Sequence, residues 1–82
     1  MEWRLLVADE LWRARKKLPP INSVHEGYAV ILEELDEFWE LVRRKPEFGL
    51  CAEALNELRV NELVQVAAMC QRTAEDVLKV DH

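Results

Sequence analysis

Apolar residues recur every three or four positions in three stretches of this chain, which is the spacing that places side chains on one side of an α-helix. In the first stretch the repeat consists of Trp3, Leu6, Val7, Leu11, Ala14 and Leu18. Two prolines follow at positions 19 and 20, and proline lacks the amide hydrogen that a helix interior needs. The pattern therefore predicts a first helix over about residues 2–17.

The second stretch carries a longer apolar stripe, made of Tyr28, Ile31, Leu32, Leu35, Phe38, Trp39 and Val42. Before it stand Ser23 and Glu26, the two halves of a capping box in which the serine side chain accepts a hydrogen bond from the amide three residues later. Basic residues at 43–45, followed by Pro46, suit the end of a helix. These signals predict a second helix over about residues 24–44.

The third stretch follows a short turn that contains Gly49, and it continues without proline from about residue 51 to about residue 80. Its middle is apolar around nearly the whole circumference, through Leu63, Val64, Val66, Ala67, Ala68, Met69 and Cys70. A helix that is apolar on all sides is expected to be buried on all sides, and two other helices cover only part of it. We therefore predict an all-α fold in which a small protomer of three helices, with room for one further short helix, assembles into an oligomeric helical bundle.

Length and charge limit the classes of function. The 82 residues are expected to form a single domain, 1–82, which is too small to bury much of its surface alone. The net charge of -5 argues against binding to nucleic acid or to a membrane surface. No signal peptide and no membrane-spanning run is recognised, so a cytoplasmic protein is expected. Cys51 and Cys70 lack the spacing of metal ligands and are expected to be reduced thiols in the core.

The candidate chemistry begins with five acids within eight residues of helix two, namely Glu33, Glu34, Asp36, Glu37 and Glu40. At about 100° per residue, Glu37 lies almost opposite the apolar stripe, and Glu34 lies at its border. Glu34 and Glu37 are three residues apart, so their Cβ atoms are about 5–6 Å from each other. Two such carboxylates repel each other unless they share a cation. The run is therefore either a solvated helix face or half of a site for a hard cation such as Mg²⁺.

Helix three offers a matching polar stripe along an otherwise apolar helix, consisting of Leu58, Glu62, Gln65, Met69, Arg72 and Asp76. Polar groups on a mostly buried helix are costly unless they are paired or functional. Glu62 and Gln65 are again three residues apart, and two antiparallel helices that each carry such a pair can form a four-ligand metal site. Since Glu37 points away from the apolar stripe of helix two, helix one or a second subunit is expected to cover it.

Several cations and aromatic residues allow two interpretations each. Helix one ends in a basic cluster, which suits the helix dipole but could also reach a phosphate chain: Arg13, Arg15, Lys16 and Lys17. Arg72 either contacts a phosphate or pairs with Asp76 four residues on. Tyr28 and Trp39 could stack on a nucleobase, but their place on the apolar stripe favours packing in the core.

These residues resemble a known signature. Glu33-Glu34-x-x-Glu37, followed after 24 intervening residues by Glu62-x-x-Gln65, resembles the EExxE…ExxD signature of the MazG-like, all-α nucleoside triphosphate pyrophosphohydrolases. The strings NSVHEGYAVILEELDEFWELV and ELVQVAAMCQRTAED look like a small branch of that superfamily associated with phages and mobile elements. The resemblance covers roughly residues 10–78, and the important departure is Gln65, which stands where the family has Asp.

The resemblance implies a helical bundle that forms homodimers or homotetramers and hydrolyses (deoxy)nucleoside triphosphates to the monophosphate and pyrophosphate, as in the removal of unwanted nucleotides. It implies Mg²⁺ as the cofactor, with Mn²⁺ as a substitute. Glu34 and Glu37 would be catalytic, and the metal ligands would be Glu33, Glu34, Glu37, Glu62 and Gln65. The substrate would be bound by Arg72, Lys16 and Lys17.

Two other classes of function stay open at this stage. Glutamine supplies no charge, so Gln65 also fits a catalytically weak or silent helical module that binds a nucleotide or a protein partner. A purely structural oligomer with a solvated acidic face is the third hypothesis, and it predicts that Mg²⁺ has no effect on the protein.

Overall fold

A computed structural model describes residues 2–80, and it contains three helices. They are α1, Trp3–Lys17; α2, Val24–Arg43; and α3, Ala52–Asp76. Regular structure in residues 2–80 consists otherwise of one isolated bridge between Glu47 and Leu50, so the prediction of an all-α, three-helix chain is confirmed. None of the three helices is long and apolar enough to cross a membrane.

The start of each later helix follows the local sequence. The Ser23 Oγ accepts a hydrogen bond from the Glu26 amide at 3.0 Å, as the capping box predicts. In the turn before α3, Gly49 adopts a φ of 87°, a left-handed conformation that glycine adopts without strain. The Cys51 Sγ then accepts a bond from the Ala54 amide at 3.4 Å and caps α3.

The prediction that helix three extends to about residue 80 is wrong, because α3 ends at Asp76. The amides of Val77 and Leu78 both bond back to the Thr73 carbonyl, at 3.0 and 3.4 Å. Lys79 then takes a φ of 60°, which turns the chain away from the helix axis. Bonds of this kind satisfy the free carbonyl groups at a helix end.

The third helix is the centre of the fold. Both α1 and α2 pack against α3, and among residues 2–80 they make no helix-to-helix packing with each other. The core lies along α3, where Val64, Ala68 and Met69 meet Val7 and Ala14 of α1. The two outer helices therefore stand on either side of a trough whose floor is α3.

Gly27 brings α2 close to α3. A methyl group added at Gly27 would lie 2.4 Å from Cγ2 and 2.6 Å from Oγ1 of Thr73. Thr73 is itself buried and donates its hydroxyl to the Met69 carbonyl at 2.9 Å, so it has little freedom to move aside. The glycine thus sets the distance between the helices just below the acidic run of α2.

An ion pair holds the C-terminal ends of α1 and α3 together. Arg15 donates to Asp76 at 2.7 Å and to Glu75 at 2.6 Å, and the Ile21 amide donates to Asp76 at 3.0 Å. Burial acts to raise the pKa of Asp76, but the bonds from Ile21 and Arg15 outweigh it, and the pKa is lowered. These contacts fix the α1–α2 linker at one end of the trough.

Two expectations about burial are wrong. The middle of α3 is not enclosed on all sides within this chain, since Leu63 and Cys70 are exposed. Cys51 and Cys70 are free thiols as predicted, but both lie at the surface and not in the core. The reason is that α1 and α2 leave uncovered the side of α3 that carries Leu63 and Cys70.

Candidate metal centre

Three carboxylates converge on the side of α2 that faces α3. One oxygen from each of Glu34, Glu37 and Glu62 lies within 4.8 Å of the other two. Around Mg²⁺, oxygen ligands sit at about 2.1 Å, so opposite ligands are roughly 4.2 Å apart. Three oxygens that all lie within 4.8 Å of one another are therefore close enough to be ligands of one cation.

The three carboxylates differ in how far they are buried. Glu34 and Glu62 are half-buried, and each has one oxygen, Oε2, that is buried without a hydrogen-bond partner among residues 2–80. Glu37 is exposed at the edge of the cluster. Buried polar atoms are nearly always satisfied in folded proteins, and a bound cation would satisfy these two oxygens.

The pKa values of Glu34 and Glu62 are raised, as expected for neighbouring acids without a cation between them. Burial, the hydrogen bond shared with Glu62 and the negative charge of Glu37 raise the pKa of Glu34 to about 8. Burial also raises the pKa of Glu62, and the charges of Glu37 and Glu10 add to this effect. A divalent cation between these groups would reverse the effect by favouring their ionised forms.

Helix one does not cover Glu37, which is exposed in the single chain, and its approach to Glu62 requires no second subunit. The side of α2 that packs toward α3 is rotated from the predicted stripe, and it includes Gly27, Val30, Ile31, Glu34, Phe38 and Leu41. On this rotated side Glu34 is central and Glu37 is one step away. A single chain therefore assembles all three carboxylates.

A cavity of about 720 Å³ adjoins the cluster and fills the trough between α1 and α2. This volume is in the range of small-molecule sites, roughly 300–1,000 Å³. The residues along its walls are Glu10, Arg13, Ala14, Lys17, Leu18, Pro19, Ile21, Glu26, Val30, Glu33, Glu34, Gln65, Met69 and Arg72. Glu34 belongs to both the cluster and the cavity, so the two are one continuous site.

Glu33 and Gln65, the other two predicted ligands, lie along the cavity. Glu33 is exposed and is not one of the three converging carboxylates. Gln65 is half-buried and follows Glu62 by one turn of α3. Both residues face the space where a ligand of Glu34 would extend.

Arg72 is buried, with only 2% of its surface exposed, and it borders the same cavity. The alternative in which Arg72 pairs with Asp76 is not what the structure shows, because the Asp76 oxygens accept bonds from Arg15 and Ile21. Arg72 donates instead to the Pro19 carbonyl at 2.9 Å and to the Met69 sulfur at 3.4 Å.

The basic cluster of α1 is divided among three environments. Lys17 borders the cavity, but Lys16 does not, because its ammonium group lies 4.0 Å from the centre of the Trp12 ring. Arg15 takes part in the ion pair with α3. Sequence reasoning missed Glu10 and placed no specific role on Arg13, although positions 10, 13, 14 and 17 share one helix face at the spacing of three and four.

Tyr28 and Trp39 neither pack in the core nor border the cavity. They are 65% and 55% exposed, and Arg43 lies 5.9 Å from the Trp39 ring. The prediction that they pack in the core is therefore wrong for the single chain. They belong to the part of the α2 stripe that faces outward.

Comparisons with protein-family models, with curated proteins and with solved structures find no match to this chain.

Proposed function

We propose that this protein binds Mg²⁺ at the cluster of Glu34, Glu37 and Glu62 and hydrolyses nucleoside triphosphates to the monophosphate and pyrophosphate. The observation that carries the proposal is the convergence of these three carboxylates, two of them with unpartnered buried oxygens, beside a cavity of nucleotide size. The MazG-like resemblance is consistent with this proposal, since the same three positions are acids of its signature.

Each carboxylate has a role that follows from its exposure. Glu34 and Glu62, which are half-buried, would hold the cation. Glu37 is exposed and would orient a water molecule and accept its proton as the water oxygen attacks the α-phosphorus. The bond from the α-phosphorus to the bridging oxygen breaks, and pyrophosphate leaves. When bound, Mg²⁺ would neutralise the charge on the phosphates.

The neutral amide of Gln65 favours a second candidate function, which is nucleotide binding without efficient hydrolysis. An amide oxygen can ligate a cation but contributes no charge. The variant Gln65→Asp separates the two candidates. A large gain in hydrolysis would identify the natural protein as a weakened enzyme, and no gain despite Mg²⁺-dependent nucleotide binding would identify a binding module.

We expect the purified protein to release pyrophosphate from at least one member of a panel of standard and modified ribo- and deoxyribonucleoside triphosphates, only in the presence of Mg²⁺ or Mn²⁺. The reason is that the buried carboxylates need a cation before they can accept a polyphosphate. The measurement is a coupled pyrophosphate assay, with Glu37→Gln as the inactive variant and Glu40→Gln, an exposed acid of the same helix, as its matched control. A folded protein that is silent across the panel would exclude the hydrolase.

We also propose that the chain associates with a second copy of itself through the outward half of the α2 stripe. This stripe consists of Tyr28, Leu32, Leu35, Trp39 and Val42, all exposed, and it extends over about 21 Å of helix. An apolar stripe of this length on so small a domain is typical of an interface. Two identical stripes can pack antiparallel about a two-fold axis, with Leu35 at the centre.

The variant Leu35→Glu is expected to convert the oligomer to a monomer, because it buries a charge at the middle of the interface. Sedimentation equilibrium measures the mass, and Ala29→Glu, which adds the same charge at an exposed position off the stripe, is the matched control. A wild-type monomer at all concentrations would contradict the proposed interface, as would an oligomer that Leu35→Glu leaves intact.

A further inference from the structure

The guanidinium of Arg72 is a buried charged group with an unsatisfied nitrogen. It is 98% buried, its Nε has no hydrogen-bond partner among residues 2–80, and its other bonds go to a neutral carbonyl and a neutral sulfur. The charge of Arg72 helps to lower the pKa of Asp76, but the Asp76 oxygens accept their hydrogen bonds from Arg15 and Ile21. A buried polar group that lacks a hydrogen-bond partner is unfavourable. Since Arg72 borders the cavity, an anion in that cavity would supply the missing partner.

Two further cations border the same cavity from α1. Arg13 and Lys17 are four residues apart on α1 and are exposed along the cavity. Arg13 pairs with Asp9 at 2.9 Å, a contact between exposed groups that contributes little and is easily exchanged. Lys17 is two residues from Pro19, whose carbonyl accepts from Arg72, so Lys17 and Arg72 both lie near the start of the linker.

The cavity is lined by charges of both signs. The positive residues, which we call the cationic side, are Arg13, Lys17 and Arg72. Four carboxylates border the same cavity, namely Glu10, Glu26, Glu33 and Glu34, and Glu10 shares a face of α1 with Arg13 and Lys17. A phosphate chain that carries a divalent cation at one end matches charges of both signs.

We infer that the cationic side binds a terminal phosphate group of a polyphosphate whose other end lies at the Glu34–Glu37–Glu62 cluster. Arginine matches phosphate with a planar fork of donors, and lysine adds a point charge. The inference deepens the proposed function and rests on it for the identity of the ligand. It assigns Arg13 a role in binding, and it withdraws Lys16 from that role because Lys16 lies on Trp12.

The test uses imidodiphosphate, a pyrophosphate analogue that resists hydrolysis, titrated calorimetrically into the full chain with Mg²⁺ and again with EDTA. The double variant Arg13→Gln/Lys17→Gln alters only exposed side chains, so it should fold as the wild type does. We expect the dissociation constant for imidodiphosphate to rise at least about tenfold, because contacts to charged groups are lost. Lys16→Gln, one residue away on the same helix, should leave it unchanged.

A separate titration with Mg²⁺ alone tests cation binding at the carboxylate cluster independently of phosphate binding at the cationic side. The double variant should bind Mg²⁺ as the wild type does, since its substitutions lie outside the carboxylate cluster. If the wild type does not bind imidodiphosphate in either condition, or if the double variant binds it as tightly as the wild type, the cationic side is not a phosphate site. A failure of Mg²⁺ binding or of hydrolysis would instead contradict the proposed function, and imidodiphosphate binding in EDTA would still report on the cationic side.

Discussion

The variant Glu34→Gln is expected to lose Mg²⁺ binding and to lower hydrolysis at least about a hundredfold, while it raises the melting temperature of the metal-free protein. The two effects have opposite signs because the same carboxylate causes both. Without a cation, Glu34 is held half-buried beside Glu37 and Glu62, and a neutral amide removes that repulsion. With a cation, the amide removes a charged ligand.

Glu33→Gln provides the matched control for that experiment. It removes the same charge one residue away, but Glu33 is exposed and is not one of the three converging carboxylates. The measurements are thermal unfolding with and without Mg²⁺, and initial rates of pyrophosphate release. A purely structural oligomer with a solvated acidic face predicts instead that Mg²⁺ shifts the melting temperature of none of these proteins.

The stability of the metal-free protein is expected to fall as the pH rises from about 5 to about 8. In the unfolded chain a glutamate loses its proton near its ordinary pKa of 4.5, whereas burial and the neighbouring acids raise the pKa of Glu34 to about 8 in the folded protein. Between these values the folded state binds more protons than the unfolded state, so the free energy of unfolding decreases with pH. Below this range the contribution of Glu34 is fully present, and above it that contribution is lost.

Urea unfolding at a series of pH values in EDTA measures this slope, and Glu34→Gln isolates the contribution of Glu34 from other titrating groups. The difference in unfolding free energy between variant and wild type should widen from pH 5 to pH 8. Mg²⁺ competes with the proton for the same carboxylate, so its binding near pH 7 should release protons into the buffer. If the unfolding free energy of both proteins depends on pH in the same way, the pKa of Glu34 is not raised in the metal-free fold.

The three helices could be predicted from the sequence alone. The apolar spacing, the capping serine at position 23 and the prolines act over a few residues, so they predict helices without knowledge of the rest of the fold. The one clear error at a helix end, the stop at Asp76, arises where no proline or glycine marks the end. There the chain turns at Lys79, which has a φ of 60°, and no residue at this point of the sequence predicts that conformation.

Only part of the candidate site could be predicted from the sequence. Spacing of three residues places Glu34 with Glu37 and Glu62 with Gln65 on single helix faces, because that spacing is a property of one helix. The cavity was not predicted, since it depends on α1 and α2 standing apart on α3. Glu10 and Arg13 border it from a helix that offered no acidic pair and no motif.

The sequence thus establishes three helices and two polar pairs, since both follow from the geometry of a helix taken singly. The tertiary structure alone decides how each helix is rotated about its axis against its neighbour. Gly27 lets α2 approach α3 on the side of Glu34, and most residues of the predicted α2 stripe are left exposed. That rotation brings Glu34 and Glu37 onto Glu62 within one chain, because packing follows the closest fit of two surfaces as well as hydrophobicity.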